Sequence, residues 1–346
     1  MNKLQSNKDL SILVDKIKKY PGLLRKQPIE AVFERLVAGT PYGPQLPNYG
    51  DDAAVIPWGD GFLLLAADGI MPQLLMQEPY AAGKASIMVT VNDIYSMGGR
   101  PIALVNVLSH GEEAGRALVV EGIRHGCEKL RVPMVGGHLH PDPSIAVPSL
   151  AVAILGWAHR VLRSHLAQSG DNLILAVDLE GQRGCQSVIS WDANSGKTTE
   201  ELLFRLETLP LIAERGLARA AKDISNAGIL GTLSIMMENS GKGAVVDLTA
   251  IPAPPAIDLL DWLVCFQSFS FILAAAPSQT GEVLTIFRER NITAEIIGRV
   301  TSDRKVLIAA GGDQQVLFDF EKEKITGIDS YIHCSENLSL TTDVRI

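Results

Sequence analysis

Short apolar runs that stop at Gly or Asp-Gly alternate along this chain with longer segments of helical periodicity, and the alternation persists through both halves. Such a chain is restricted to sheets covered by helices, because strands repeat with period 2 and helices with period 3.6. The clearest buried strand is Gly61-Phe-Leu-Leu-Leu-Ala-Ala67, ending at Asp68-Gly69. Further strands are expected over Ala103–Leu108, Val132–Val135, Ser149–Trp157, Leu173–Val177, Gly243–Leu248, Phe269–Ala276, Ala294–Val300 and Lys305–Ala309. The strand at Val132 is expected to stop at Gly136-Gly137-His138. Helical spacing covers 9–38, with breaks at Pro21-Gly22 and near Pro28, and then 80–98, Glu112–Lys129, 210–221 and the stretch from Gly231 to Asn239. The chain has 346 residues, enough for about two domains. The rhythm changes near 158–165, which divides it into a helical segment 1–45, a domain 46–158 and a domain 159–346. The expected fold class is α/β to α+β.

Aromatic residues make up 5% of the chain, so the core must be built from Val, Ile, Leu and Ala. The net charge of −8 argues against a general nucleic-acid binder, which needs a basic footprint. Lys16, Lys18, Lys19, Arg25 and Lys26 make the N-terminal stretch locally basic, read as a solvated helix face. Cys127, Cys185, Cys265 and Cys334 are far apart, with no paired spacing for a disulfide framework or zinc knuckle. No run approaches the length of a membrane span, and no apolar leader follows the first residues. The expectation is a soluble, cytoplasmic protein.

Five constellations carry chemistry. In Gly50-Asp51-Asp52 two adjacent carboxylates repel, and magnesium, which prefers hard oxygen ligands, would offset that repulsion; an Asp-rich surface turn is the alternative. Asp68 stands at a strand end, where site residues or turn residues belong. Asn92-Asp93 interrupts a helix whose face is marked by Val89, Val91, Ile94 and Met97, and such a buried polar pair needs a nucleotide, a metal or a structural hydrogen bond. Gly137 permits close approach of a ligand, and His138, with His140 and Asp142 downstream, is either a metal ligand or acid/base group or a hydrogen-bonded loop histidine. Asp223-Ile-Ser-Asn-Ala-Gly228 precedes a helix, where exposed N–H groups favour phosphate and Ser225 or Asn226 can act as cap. Ala193-Asn-Ser-Gly-Lys-Thr198 ends like a nucleotide-binding P-loop, but the required upstream Gly is Trp191, so that reading is set aside.

In this order, Gly-Asp-Asp, the strand-end Asp, Val-Asn-Asp-(x)3-Met-Gly, Gly-Gly-His and Asp-Ile-Ser-Asn-x-Gly resemble the aminoimidazole-ribonucleotide synthetase superfamily over roughly residues 30–310. That group includes thiamine-monophosphate kinase, selenophosphate synthetase and formylglycinamidine-ribonucleotide synthetase. The resemblance implies two α/β domains, with the N-terminal domains of two subunits pairing into a barrel-like sheet and ATP in the nearby cleft. It implies Mg2+ and phosphate at Asp51, Asp52, Asp68, Asp93 and Asp223, and nucleotide support from Gly50, Asn92, Gly137, Ser225 and Asn226. Asp223 and His138 are the implied catalytic groups. The expected activity is ATP- and magnesium-dependent phosphorylation or activation of a small molecule, with or without a following dehydration or cyclisation. A non-catalytic nucleotide-binding scaffold and thiamine-monophosphate kinase itself are the alternatives. Departures from the kinase pattern are specific. His138 and Asn226 stand where that branch carries acids, which implies fewer magnesium ions or a weaker second site. The stretch Cys265-Phe-Gln-Ser-Phe-Ser-Phe271 replaces an acidic loop, which favours a neutral or anionic substrate over a cationic one.

Overall fold

The structure is a computed structural model that describes residues 7–38, 50–255 and 257–328. Most of the Pro/Gly-rich stretch 39–50 therefore lies outside the described residues. The chain forms two mixed α/β units, as the sequence pattern implies.

The first unit is a five-stranded sheet of β1 (Ala54–Trp58), β2 (Gly61–Gly69), β3 (Arg100–Ser109), β4 (Met134–His140) and β5 (Ser149–Ala158), in the order β1-β2-β5-β3-β4. Only β3 and β4 run parallel, joined by the crossover helix α6 (Glu113–Leu130). The long helix α5 (Pro79–Ser96) lies under the face formed by Leu64, Ala66, Leu104, Val152 and Ile154, and twelve of its eighteen residues are buried. Glycines set the spacing of the helix pair. A Cβ at Gly83 would lie 2.1 Å from the Val119 carbonyl oxygen, and one at Gly122 would lie 2.1 Å from that of Tyr80. Larger residues there would force the helices apart.

The second unit is a seven-stranded sheet in the order β15-β14-β10-β13-β6-β12-β9. Its strands are β6 (Asn172–Val177), β9 (Ala220–Asp223), β10 (Gly243–Asp247), β12 (Ser270–Ala275), β13 (Thr293–Thr301), β14 (Lys305–Ala310) and β15 (Asp313–Asp319). A small sheet of β7 (Gln182–Arg183), β8 (Ser190–Asp192) and β11 (Phe266–Gln267) stands beside it. Helix α9 (Gly228–Asn239) is buried at every position; most of it is apolar, and its last turn carries the buried Glu238 and Asn239, which take partners from outside the helix.

The N-terminal helices α1 (Asn7–Lys18), α2 (Pro21–Leu24) and α3 (Ile29–Ala38) are fastened to the second unit. Lys18 donates to Glu323 at 2.7 Å and lies over the Phe318 ring, and Lys324 reaches Glu30 at 2.6 Å. The basic stretch is thus not simply a solvated face.

Several sequence expectations are corrected. The stretch 210–221 is not one helix: α8 (Thr208–Glu214) ends before Gly216, which takes φ +64, and Ala220 already belongs to β9. The polar stretch 181–200 holds β7 and β8 and leads into α7 (Thr199–Leu206), which Thr198 and Glu201 start with reciprocal caps. Strand β1 contains Pro57, which is tolerated because β1 is an edge. Strand β4 does not stop at Gly136-Gly137 but pairs with β3 as far as His140. Helix α11 (Pro277–Arg288), begun by its proline, was also not anticipated.

Candidate active site

Four carboxylates from separate parts of the chain act on one another at the junction of the two units. Asp68 ends β2, Asp93 lies in the last turns of α5, Asp223 ends β9, and Asp52 comes from the loop before β1. Each owes its place to an apolar element that stops or is interrupted there.

Their electrostatics are dominated by burial. Loss of water raises Asp93 well above the usual carboxylate range, and the charges of Asp68, Asp223 and Asp52 raise it further, against a smaller opposing pull from Lys222. Asp223 is likewise raised well above that range by burial and by Asp52, with Lys222, Asp68 and Lys26 acting in smaller measure. Asp68 is raised by burial, partly offset by the charge of Lys26. A set of buried acids that raise one another's pKa lacks positive charge, and their hard oxygens suit a divalent cation such as magnesium. Among the described residues, no group of three or more His, Cys, Asp or Glu side chains is already disposed as a metal cage.

Asp51 and Asp52 are engaged by different partners. Asp51 accepts hydrogen bonds from Arg163 Nε at 2.5 Å and from the Ser164 backbone N–H at 2.7 Å. Burial would raise its pKa, but the His165 ring and the Arg163 guanidinium hold it below the ordinary value. Asp52 instead pairs with Lys222 and accepts from Ser96 Oγ at 2.7 Å and from the Asp223 backbone N–H at 3.1 Å. Gly50 takes φ +96, a conformation that favours glycine, and its carbonyl accepts from Asn239 Nδ2 at 2.8 Å and from Lys222. Asn92 is fully buried; its Nδ2 donates to the Ser268 carbonyl at 3.1 Å, while its Oδ1 has no partner.

Ser225 and Asn226 do not cap α9 through their side chains. The N-cap is Ala227, without a side-chain hydrogen bond, because Gly228 at φ +71 redirects the backbone one residue later. This turn is covered by α2: a Cβ at Gly22 would lie 1.9 Å from the Asn226 carbonyl oxygen. That packing explains how Lys26, which follows α2, acts on Asp68 and Asp223.

His138 lies apart from this cluster. The register runs Asp68–Val152–Asn106–Gly137 across four strands, and the next row runs Gly69–Ala151–Val107–His138. His138 is therefore three strands from Asp68, roughly 14 Å, in a row that faces away from α5. Its ring packs edge-on against His140. Gly137 makes room for Asn106, whose Oδ1 would lie 2.3 Å from a Cβ there.

A cavity of ≈ 340 Å³ opens from the carboxylates between the two units, with Asp68 and Asn226 among its lining residues. Met71, Met88 and Val89 line it from the first unit, and Trp191, Phe266 and Ser268 from the second. Lys84, Lys129 and Arg183 also line it. Of the acids on its wall, Glu78 is held by the backbone N–H groups of Gln186 and Ser187, and Asp192 by those of Asn194 and Ser195. Phe266 and Ser268 belong to the Cys265–Phe271 stretch marked in the sequence, whereas the part of the wall from Gln182 to Ser195 lies in the polar stretch 181–200, which no motif marked. Lys197 of the P-loop-like stretch pairs with buried Asp178 at 2.9 Å, which gives it a structural role.

The family model described as AIR synthase related protein, N-terminal domain, matches residues 50–158, and that for the C-terminal domain matches residues 169–309. An uncharacterized protein of Methanocaldococcus jannaschii is 40% identical over 324 residues, covering 92% of this chain and 99% of its own length. Among solved structures, Thermotoga maritima PurL complexed with ATP superposes with a TM-score of 0.67 at 18% identity, covering 93% of this chain and 55% of PurL, so this chain spans about half of that protein. A ThiL complexed with AMPPCP and TMP gives a TM-score of 0.61 at 16% identity, over 84% of this chain and 96% of that one. At these identities the two structures show a shared fold.

The raised carboxylates carry a stability consequence. The folded chain holds these protons more tightly than the unfolded chain. Their favourable contribution is therefore complete below the unfolded carboxylate pKa of about 3.9 and is lost as pH rises through the raised folded values. Asp93→Asn, which removes one of the repelling charges, is expected to raise the ligand-free melting temperature at pH 7 by about 1–2 °C, equivalent to about 1 kcal/mol for a chain of this length, and to flatten its decline with pH. A variant that melts lower at pH 7, with an unchanged pH profile, would show that Asp93 is not under electrostatic strain.

Proposed function

The chain belongs to the AIR synthase related protein family, and from that premise we propose that it is an ATP- and magnesium-dependent enzyme that phosphorylates or otherwise activates a small molecule. The observation that carries this reading is the convergence of Asp52, Asp68, Asp93 and Asp223 beside a cavity between the two units. Asp68, Asp93 and Asp223 are the residues that would hold Mg2+, which would neutralise phosphate charge and align the transferred group. The backbone N–H groups of Ser225, Asn226 and Ala227, within the turn that follows Asp223, and the ammonium of Lys26 would supply the remaining positive potential for a triphosphate. Asn92, whose buried Oδ1 is unpartnered, braces the end of α5 against Ser268 and offers an acceptor to the ligand. Asp51 serves the same site indirectly, by pinning the Gly50–Asp52 loop to Arg163 and Ser164.

The acceptor occupies the cavity. Its wall at Phe266–Ser268 carries no acid, and Lys84 and Lys129, whose ammonium groups donate to Ser195 Oγ and the Lys197 carbonyl, line the side formed by α5 and α6. A neutral or anionic acceptor fits this lining better than the cationic thiazolium of a thiamine phosphate. Calorimetry with a non-hydrolysable ATP analogue and Mg2+ tests the nucleotide site. Asp93→Ala and Asp223→Asn are each expected to weaken binding at least tenfold, while wild-type affinity in both would refute the assignment.

Among the described residues, nothing covers one face of the first unit's sheet. Leu65, Val105 and Val107 are each more than two-fifths exposed along it, an apolar strip of the kind that marks a contact surface. We propose that a second copy of the chain covers this face, giving a homodimer. His138 lies on it, so any part His138 plays at a nucleotide is at the site of a second copy. Val107→Lys is expected to yield monomers in sedimentation at micromolar concentration, where the wild type sediments as a dimer; a monomeric wild type would contradict the pairing.

A further inference from the structure

Lys222 interrupts the apolar strand β9, and its side chain is 9% exposed. A lysine so far from water gives up its proton unless anions hold its charge. Here they do. Its Nζ pairs with Asp52 Oδ1 and donates to the Gly50 carbonyl at 3.1 Å. This buried ion pair places a cation, installed by the chain itself, among the carboxylates expected to hold magnesium.

The consequence falls on Asp52. Its Oδ1 faces Lys222, and its Oδ2 already accepts from Ser96 Oγ at 2.7 Å and from the Asp223 N–H at 3.1 Å. A divalent ion on Asp52 would have to approach an ammonium group bound to the same carboxylate, under low-dielectric cover where that repulsion is strong.

We propose that Lys222 is a tethered stand-in for a second metal ion: it withdraws Asp52 from the ligand set, so that the chain takes one divalent cation, on Asp68, Asp93 and Asp223. This rests on the magnesium–ATP reading above and adds to it a stoichiometry and the residue that sets it. The fixed cation also ties the Gly50–Asp52 loop to β9, so the loop is ordered before any nucleotide arrives.

The test counts Mn2+, used in place of magnesium, by electron paramagnetic resonance in the presence of a saturating non-hydrolysable ATP analogue. The wild type is expected to bind one Mn2+ per chain, without the dipolar broadening of a close ion pair. Lys222→Met frees Asp52 Oδ1 and is expected to bind two, with that broadening. Lys222→Arg, which keeps the charge, is expected to stay at one. Two ions in the wild type overturn the inference while leaving the magnesium–ATP reading standing, and this count does not depend on any variant folding. A folded Lys222→Met protein that still binds one ion also overturns it. Failure of the wild type to bind the nucleotide or any Mn2+ refutes the underlying reading instead.

Discussion

Four carboxylates gathered under partial cover from water repel one another, and the rest of this molecule is arranged around that repulsion. Asp93 and Asp223 are driven toward their protonated forms by burial and by their neighbours. Such a site costs stability in the free protein and becomes favourable when positive charge is delivered. The structure already delivers part of it, through Lys222 inside the cluster and Lys26 at its margin. What remains is a deficit suited to a metal-bound phosphate chain.

Each surrounding element has a part in holding that arrangement. Helix α5 places Asn92 and Asp93 because glycines in both helices let it lie close against α6 and because nearly all of its later turns are enclosed. The Gly50–Asp52 loop reaches both units: Asp51 is bonded to Arg163 and Ser164, and Asp52 to Lys222. Helix α2 lies on the Asn226 turn and thereby sets Lys26 over the acids. The cavity is walled by both units, so displacement of one unit against the other would open both the acceptor space and the acid cluster. No helix among the described residues is long and apolar enough to cross a membrane, and Cys127, Cys185 and Cys265 are free thiols.

Much of this was legible in the sequence, for identifiable reasons. Asp68 ends an apolar run, and Asn92-Asp93 interrupts an apolar helix; both violate local preference, and such violations gather at functional sites. The two-sheet architecture followed from periodicity. The different partners of Asp51 and Asp52 were not legible, because adjacent carboxylates look alike until Arg163 and Lys222, more than a hundred residues away, are brought to them. Lys222 did carry a signal, a lysine after Ala220-Ala221 in a strand whose every residue is buried, but it was hidden by the acid beside it. The part of the cavity wall at β7 and β8 escaped notice because these strands are two and three residues long within a polar stretch, whereas its Phe266–Ser268 part was marked by the loss of an acidic loop. His138 was drawn toward the site by its Gly-Gly neighbours, whereas strand register carries it to the other face of the sheet.

The most direct test is a crystal structure of the protein with Mn2+ and a non-hydrolysable ATP analogue, with the metal located by its anomalous scattering. The account predicts a manganese peak within ligand distance of Asp68, Asp93 and Asp223, bridged to the terminal phosphates, with Lys222 still on Asp52. A nucleotide bound elsewhere, with these carboxylates carrying no metal, would contradict it.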